Sequence, residues 1–207
     1  MIGIVDYNAG NITSVERALQ SLNIKYIRSK NPEDLKECSK LIFPGVGDAA
    51  YAMEQLKITG FDNFLKNWAN SGKEILGICL GSQIIFDFSE EGNTNCLGLI
   101  KGKIRHFSNI DSSLQEKGFK IPHMGWNNLN YENGNCPVLK DVPVTADFYF
   151  VHSYVICPEE NSVIKAAADY GIKVPAVIQS GSVFACQFHP EKSGEAGLKI
   201  LKNFCEN

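Results

Sequence analysis

Two side chains far apart in this 207-residue chain have the makings of a nucleophile and its base: Cys79 and His189. Cys79 is the centre of Gly77-Ile78-Cys79-Leu80-Gly81, between an apolar run at 74–78 and an amphipathic stretch at 82–88. That order predicts a strand, a sharp turn and a helix. Gly77 lets neighbouring backbone come close, and Gly81 lets the chain bend into the helix without a Cβ clash. Such a turn lifts the thiol off the sheet and leaves it at the mouth of the helix. There, unpaired N–H groups and the macrodipole favour negative charge, and the thiolate is the attacking species. Read in isolation, the stretch is also compatible with a buried structural cysteine beside two incidental glycines.

A catalytic cysteine needs a base, a group to orient that base, and donors for the developing oxyanion. Of four histidines, His189 is the best placed, at the end of the apolar run 183–188 with Pro190 stopping the strand. Glu191 lies two residues on. In an extended segment it points the same way as His189 and can fix its tautomer. His152, in Tyr149-Phe150-Val151-His152-Ser153-Tyr154, is the rival base, although the aromatic character of its strand favours a packed histidine. The oxyanion requires two preset N–H groups. Leu80, just after the nucleophile, supplies one. The Gly45-Val46-Gly47 loop is the candidate for the other, through Val46 or Gly47; a plain turn is the alternative reading of that loop. A phosphate cradle is disfavoured, because no Lys-Ser/Thr follows at the required spacing. Cys186 and His189 lack a second ligand pair, so no metal site is expected.

The elements that must bring these groups together read as βαβαβαβα over the first half. Strands are expected at 2–6, 24–27, 41–43 and 74–78, with helices after 11, from 32, at 50–56 and 61–69, and after the Cys79 turn. Asn11 is the expected cap of the first helix. The pattern predicts an α/β fold with a doubly wound, mostly parallel sheet and helices on both faces. Sites in such sheets lie beyond the carboxyl ends of the strands, so the 8–11 turn, the 44–47 loop and Cys79 should share one rim. In the second half, strands are expected at 99–107, 148–155, 163–168, 176–179 and 183–188. They read as mixed or antiparallel additions to the same sheet, followed by a closing helix at 194–204. Pro122-His123-Met124-Gly125-Trp126-Asn127 reads as a stretch with little regular structure, either local packing or a contact surface.

Bulk properties narrow the functional classes. Lys and Arg number 20 and Asp and Glu 23, for a net charge of −3; nothing here favours nucleic acid or an anionic membrane as a partner. The start of the chain reads as a strand, not a signal peptide, and no apolar stretch is long enough to span a bilayer. Seven scattered cysteines without a C-x-x-C pair argue for a reducing compartment, the cytoplasm by default. One domain covering 1–207 is expected.

Taken together, Asp6-Tyr7-Asn8-Ala9-Gly10-Asn11, Pro44-Gly45-Val46-Gly47, residues 77–83, Pro122 through Asn127, Tyr149 through Tyr154 and Gln187-Phe188-His189-Pro190-Glu191-Lys192-Ser193 resemble the class I (triad) glutamine amidotransferases. The likeness spans the whole chain. The Cys79 and His189 motifs belong to the class; the Pro-His-Met-Gly-Trp-Asn and Val-His-Ser-Tyr stretches narrow it to glutaminase subunits of imidazole glycerol phosphate synthases. Two departures are Ser82, where the family usually has methionine, and Asp48-Ala49-Ala50-Tyr51, which is not the commonest form.

The resemblance implies hydrolysis of glutamine to glutamate and ammonia through a Cys79 thioester, with His189 as acid and then base and Glu191 holding it. It implies that Gln83 and Glu91 grip the amino-acid end of the substrate, helped by backbone at Ser153 and Tyr154. No cofactor is implied. A (β/α)8-barrel cyclase or synthase subunit is implied as the partner in a heterodimer, receiving ammonia for histidine biosynthesis, with Asn11, His123, Met124, Trp126 and Lys192 bordering the interface. Two alternatives stay open: an ammonia-supplying subunit acting on a sugar in surface-polysaccharide synthesis, and a stand-alone cysteine (γ-glutamyl) hydrolase. A non-catalytic subunit that keeps the fold is a third, weakened by the intact Cys79, His189 and Glu191.

Overall fold

Short, wholly apolar runs become central strands because helices cover both of their faces. The computed structural model describes residues 1–206. β1 (Ile2–Val5) is buried throughout. α1 (Ile12–Ser21) packs Ile12, Val15, Ala18 and Leu19 inward, at the spacing of one helix face. β2 (Tyr26–Ser29), β3 (Lys40–Gly45), α2 (Ala49–Thr59), α3 (Phe61–Asn70), β4 (Glu74–Cys79) and α4 (Leu80–Ile84) follow. The Asp48 side chain caps α2 by accepting from the Tyr51 N–H at 2.9 Å, as a helix start requires.

The second half contains β5 (Phe88–Ser89), β6 (Thr94–Asn95), β7 (Gly102–His106), α5 (Phe107–Ile110), β8 (His123–Asn128), β9 (Asn130–Tyr131), β10 (Asp147–His152), β11 (Tyr154–Pro158), β12 (Ile164–Asp169), β13 (Lys173–Ser180), β14 (Val183–Cys186) and α6 (Gly194–Glu206). The main sheet runs β2-β1-β3-β4-β14-β13-β12-β9. Its first five strands are parallel and its last three antiparallel. Alternating side chains feed two cores. Ile42, Leu76 and Ile78 join α1 and α6 on one face; Leu41, Phe43 and Ile75 join α2 and α3 on the other.

The expected α/β architecture holds, and the second half corrects its details. Only β9, β12, β13 and β14 extend the main sheet; β10 and β8 form a separate pair, and β11-β7-β5-β6 a third sheet. The run expected as one strand at 148–155 breaks at Ser153 into β10 and β11. The stretch expected to lack regular structure is β8, paired antiparallel with β10 from His123↔His152 to Asn128↔Asp147. Its glycine and polar residues hide the strand pattern, and the cross-strand partner supplies the order. The helix after Cys79 is a single five-residue segment, buried all round, so its pattern is that of a core plug and not of an amphipathic surface helix. Asn11 stands at the start of α1, yet its side chain makes no capping bond.

Candidate active site

Parallel register places the site. β3 and β4 pair with Gly45 opposite Cys79, and β4 and β14 pair with Ile78 opposite Cys186, so the chain leaving β14 delivers His189 beside Cys79. The 8–11 turn joins the same rim, with the Val46 N–H donating to the Ala9 carbonyl at 3.2 Å. Cys79 itself carries the strain of the turn, at φ 54 and ψ −112, a region that costs a non-glycine residue on the order of 1–3 kcal/mol. The flanking glycines serve close approach. A Cβ on Gly81 would lie 2.0 Å from the Phe43 carbonyl oxygen, and one on Gly77 would lie 2.8 Å from the Gly81 carbonyl oxygen. Ser82 is fully buried, and its hydroxyl donates to the Cys79 carbonyl at 2.5 Å.

Cys79 is 8% exposed and opens into a cavity of about 340 Å³, lined by Val46, Gly47, Leu80, Gln83, Glu91 and His189 among others. His189 Nδ1 lies 2.7 Å from Glu191 Oε1. A carboxylate accepts only, so Nδ1 carries the proton and Nε2 is left for the sulfur. Burial opposes a charge on this imidazole. Hydrogen bonding to Cys79 and Glu191, with their negative charge, outweighs burial and raises its pKa to about 9. An extended segment from His189 to Glu191 is what the sequence leads one to expect for this contact. The contact exists, but Glu191 sits in a 3-10 turn, Pro190–Lys192, and it is that turn which folds the carboxylate back.

The remaining candidates divide clearly. Gln83 Nε2 donates to the Tyr154 carbonyl at 3.0 Å and to Gln187 Oε1 at 2.9 Å. Glu91 Oε2 accepts from the Ala49 N–H at the start of α2, at 2.9 Å; burial raises its pKa, against the lowering effect of that bond. Ser153 and Tyr154 line the cavity. Gly47 and Leu80 also face it, whereas the Val46 N–H is engaged by Ala9 and is not available as an oxyanion donor in this conformation. Met124 and Trp126 stand out from β8 at 61% and 59% exposure, and Asn11 and Lys192 are exposed. His123 is a correction: it is 2% exposed, on the opposite face of β8 from Met124 and Trp126, stacked on Tyr170 and Phe150. A strand alternates its faces, so His123 cannot share a surface with its neighbour Met124.

His152 is settled by its partners. Its Nδ1 is 2.7 Å from the Tyr154 carbonyl and its Nε2 3.1 Å from His123 Nδ1; both ring nitrogens are occupied, and no lone pair remains for a base. Ser193, at the end of the Gln187–Ser193 stretch, holds the base in place. Its buried hydroxyl donates to the His189 carbonyl at 2.6 Å and accepts from the Tyr149 N–H at 3.0 Å, tying the His189 loop to β10. The His189 carbonyl is four residues away, but no spacing rule signals the bond to the Tyr149 N–H, a backbone group 44 positions away in sequence. Among the described residues no cluster of His, Cys, Asp or Glu is arranged to hold a metal ion, and no helix is long and apolar enough to cross a membrane.

A buried thiol, an imidazole held by a carboxylate and an adjoining polar cavity can perform acyl transfer from an amide. A family model described as glutamine amidotransferase class-I matches residues 3–207. The chain is 43% identical over 205 residues to the imidazole glycerol phosphate synthase subunit HisH of Halalkalibacterium halodurans, covering 99% of this chain and 94% of that protein. It is 44% identical over 207 residues to the HisH subunit of Bacillus subtilis, covering 99% and 95%. A crystal structure of a glutamine amidotransferase superposes with a TM-score of 0.75 at 17% identity, covering 98% of each chain. A structure of PurLQS from Thermotoga maritima superposes with a TM-score of 0.70 at 20% identity, covering 98% of this chain and 96% of that one. At such identities the superpositions speak for the fold alone.

Proposed function

The chain belongs to the class-I glutamine amidotransferases, among the HisH subunits of imidazole glycerol phosphate synthase, and on that premise we propose that Cys79, His189 and Glu191 hydrolyse glutamine to supply ammonia to a (β/α)8-barrel cyclase subunit in histidine biosynthesis. The observation that carries this reading is the His189 imidazole, bonded on one side to Glu191 and poised on the other toward Cys79.

With its pKa near 9, His189 holds a proton at neutral pH, which suits it to begin as the acid. The Cys79 sulfur attacks the side-chain amide carbon of glutamine, the C–N bond breaks, and the His189 Nε2 proton leaves with ammonia. The neutral imidazole then takes a proton from water, whose oxygen attacks the thioester and releases glutamate and the thiol. Leu80 and Gly47, both lining the cavity, offer their N–H groups to the oxyanion. Gln83 and Glu91 receive the amino-acid end of the substrate. The occupied Val46 N–H supports low glutaminase activity in the isolated chain and activation when the partner is bound. The exposed Met124 and Trp126, with Asn11 and Lys192, form the proposed contact with the barrel. There the ammonia would join a ribulosyl phosphate intermediate, giving imidazole glycerol phosphate and an aminoimidazole carboxamide ribotide. We place this chemistry in the cytoplasm, in a single-domain subunit.

The test is Cys79→Ala in the reconstituted complex. Glutamine-dependent synthesis should vanish while ammonia-dependent synthesis by the barrel continues. Loss of both activities would make the chain a structural support and not an ammonia source.

A further inference from the structure

The cavity wall that carries Gln83 contains a continuous run of hydrogen bonds, buried or half-buried, whose histidines the proposed chemistry does not use. The Tyr154 carbonyl accepts only, so His152 Nδ1 carries a proton and donates to it at 2.7 Å. The neutral His152 ring then has its lone pair on Nε2, and His123 Nδ1 donates into it across 3.1 Å. The same Tyr154 carbonyl accepts a second bond, from Gln83 Nε2 at 3.0 Å, and the other Nε2 hydrogen goes to Gln187 Oε1 at 2.9 Å. The run therefore extends from β8 and β10, through the start of β11, to the residue four positions past the nucleophile. Both histidines are buried, and His123 is clamped between Phe150 and Tyr170 with ring centroids 4.7 and 3.9 Å away.

An amide side chain can present either end to a ligand. Here both Nε2 hydrogens of Gln83 are engaged by acceptors in the wall. Its Oε1 has no protein partner among the described residues, and Gln83 lines the cavity. We propose that His123 and His152 are positioning residues that set the Tyr154 carbonyl and thereby hold Gln83 with its Oε1 toward the cavity, as the acceptor that selects the ammonium end of glutamine. This rests on the glutaminase reading and adds a source for its substrate selectivity. His123 acts at one remove: by donating to His152 Nε2 it keeps the His152 proton on Nδ1. Without it the ring can change tautomer and turn a lone pair toward the Tyr154 carbonyl.

The experiment compares alkylation of Cys79 in the full chain by two chloroketones, 2-amino-5-chloro-4-oxopentanoate and 5-chloro-4-oxopentanoate, which differ only in the amino group. Iodoacetamide labelling corrects for thiol reactivity. Wild type should prefer the amino reagent; if it does not, the glutaminase reading fails and this inference with it. Given that preference, His152→Gln, which keeps a polar group at the Nε2 position but lacks the Nδ1 donor, should reduce it about tenfold, the worth of one well-placed hydrogen bond. His123→Phe, which preserves the stacking, should do the same. His123→Asn and His152→Asn place an amide N–H where Nδ1 stood and should keep the preference within about twofold. A His152→Gln protein with the wild-type preference, or a His123→Asn protein as impaired as His123→Phe, overturns the proposal while leaving the glutaminase reading intact. Circular dichroism identifies any variant that does not fold, and the remaining His152 or His123 pair then decides alone.

Discussion

His189 and His152, the latter bonded to His123, line the same cavity, and the two sides hold opposite charge states. His189 is 3% exposed at its side chain, and its neighbours are a carboxylate and a thiol; its pKa stands at about 9. His123 and His152 are buried to a similar degree. Their neighbours are a carbonyl, aromatic rings and each other, and burial lowers their pKa values to about 4 and about 3. In the case of His152, the bond to Tyr154 pushes upward but loses to burial, and the other histidines push further down. Depth in the protein is the same; the partner decides the protonation. A charged imidazole suits proton transfer, whereas a neutral one, with one donor and one acceptor nitrogen, suits holding other groups in place.

The sharpest way to break this contrast is to remove each imidazole in turn. His189→Asn should lower glutamine turnover in the reconstituted complex by about 10²–10⁴-fold, the range of a general acid–base group. His152→Asn should leave kcat close to wild type. Equal losses would mean that the two sites do not differ in role. Next in size is Glu191→Gln, which removes the charge that holds the His189 proton. It should cost roughly tenfold less than losing the base itself, and the His189 pKa, followed by NMR of the ring, should fall below 9.

The pH dependence of stability should run in opposite directions for the two groups. A raised pKa contributes stability that is complete below the unfolded value of 6.5 and is lost as pH climbs through about 9. The margin of wild type over His189→Asn in urea unfolding should therefore shrink between pH 6.5 and 9. Lowered pKa values act the other way. Unfolding exposes His123 and His152 to protonation, so their burial costs stability as pH falls from 6.5 toward 4. Wild type should lose stability faster than His123→Phe over that acid range; parallel curves would place the protons elsewhere. The smallest expected effect is Ser193→Ala. It leaves the Tyr149 N–H and the His189 carbonyl without their hydroxyl partner, at a cost of about 1–3 kcal/mol, and a measured change under 0.5 kcal/mol would show that the His189 loop is held by other contacts.

Which parts of the molecule were legible in its sequence follows the same division. The parallel half is built from local signals: apolar runs covered on both faces, helical spacing in α1, and glycine-bounded turns at strand ends. Those signals placed Cys79, the 44–47 loop and the 8–11 turn on one rim and left His189 at the end of a strand expected to be a mixed or antiparallel addition; it is the parallel pairing of β14 with β4 that brings His189 to that rim. The antiparallel half depends on pairing across long separations. β8 has a glycine and three polar side chains in six residues, so its strand character comes from β10 and not from its own pattern. The inward turn of His123 follows from that pairing, so neither its own stretch, which fits packing and contact surface equally, nor the family resemblance that puts it at the interface reveals it.

By itself the sequence determined the chemistry available to this protein: a cysteine in a glycine-flanked turn and a distant histidine followed by a carboxylate, each at the end of a strand. These depend on residue identity and short-range geometry, which a linear chain records. Tertiary structure alone decided how the available groups are used. It turned the Val46 N–H toward Ala9, folded Glu191 back through a 3-10 turn, and joined His123, His152, Tyr154 and Gln83 in one wall. Hydrogen bonds and desolvation act through space, between groups whose separation in sequence carries no trace of their separation in the fold.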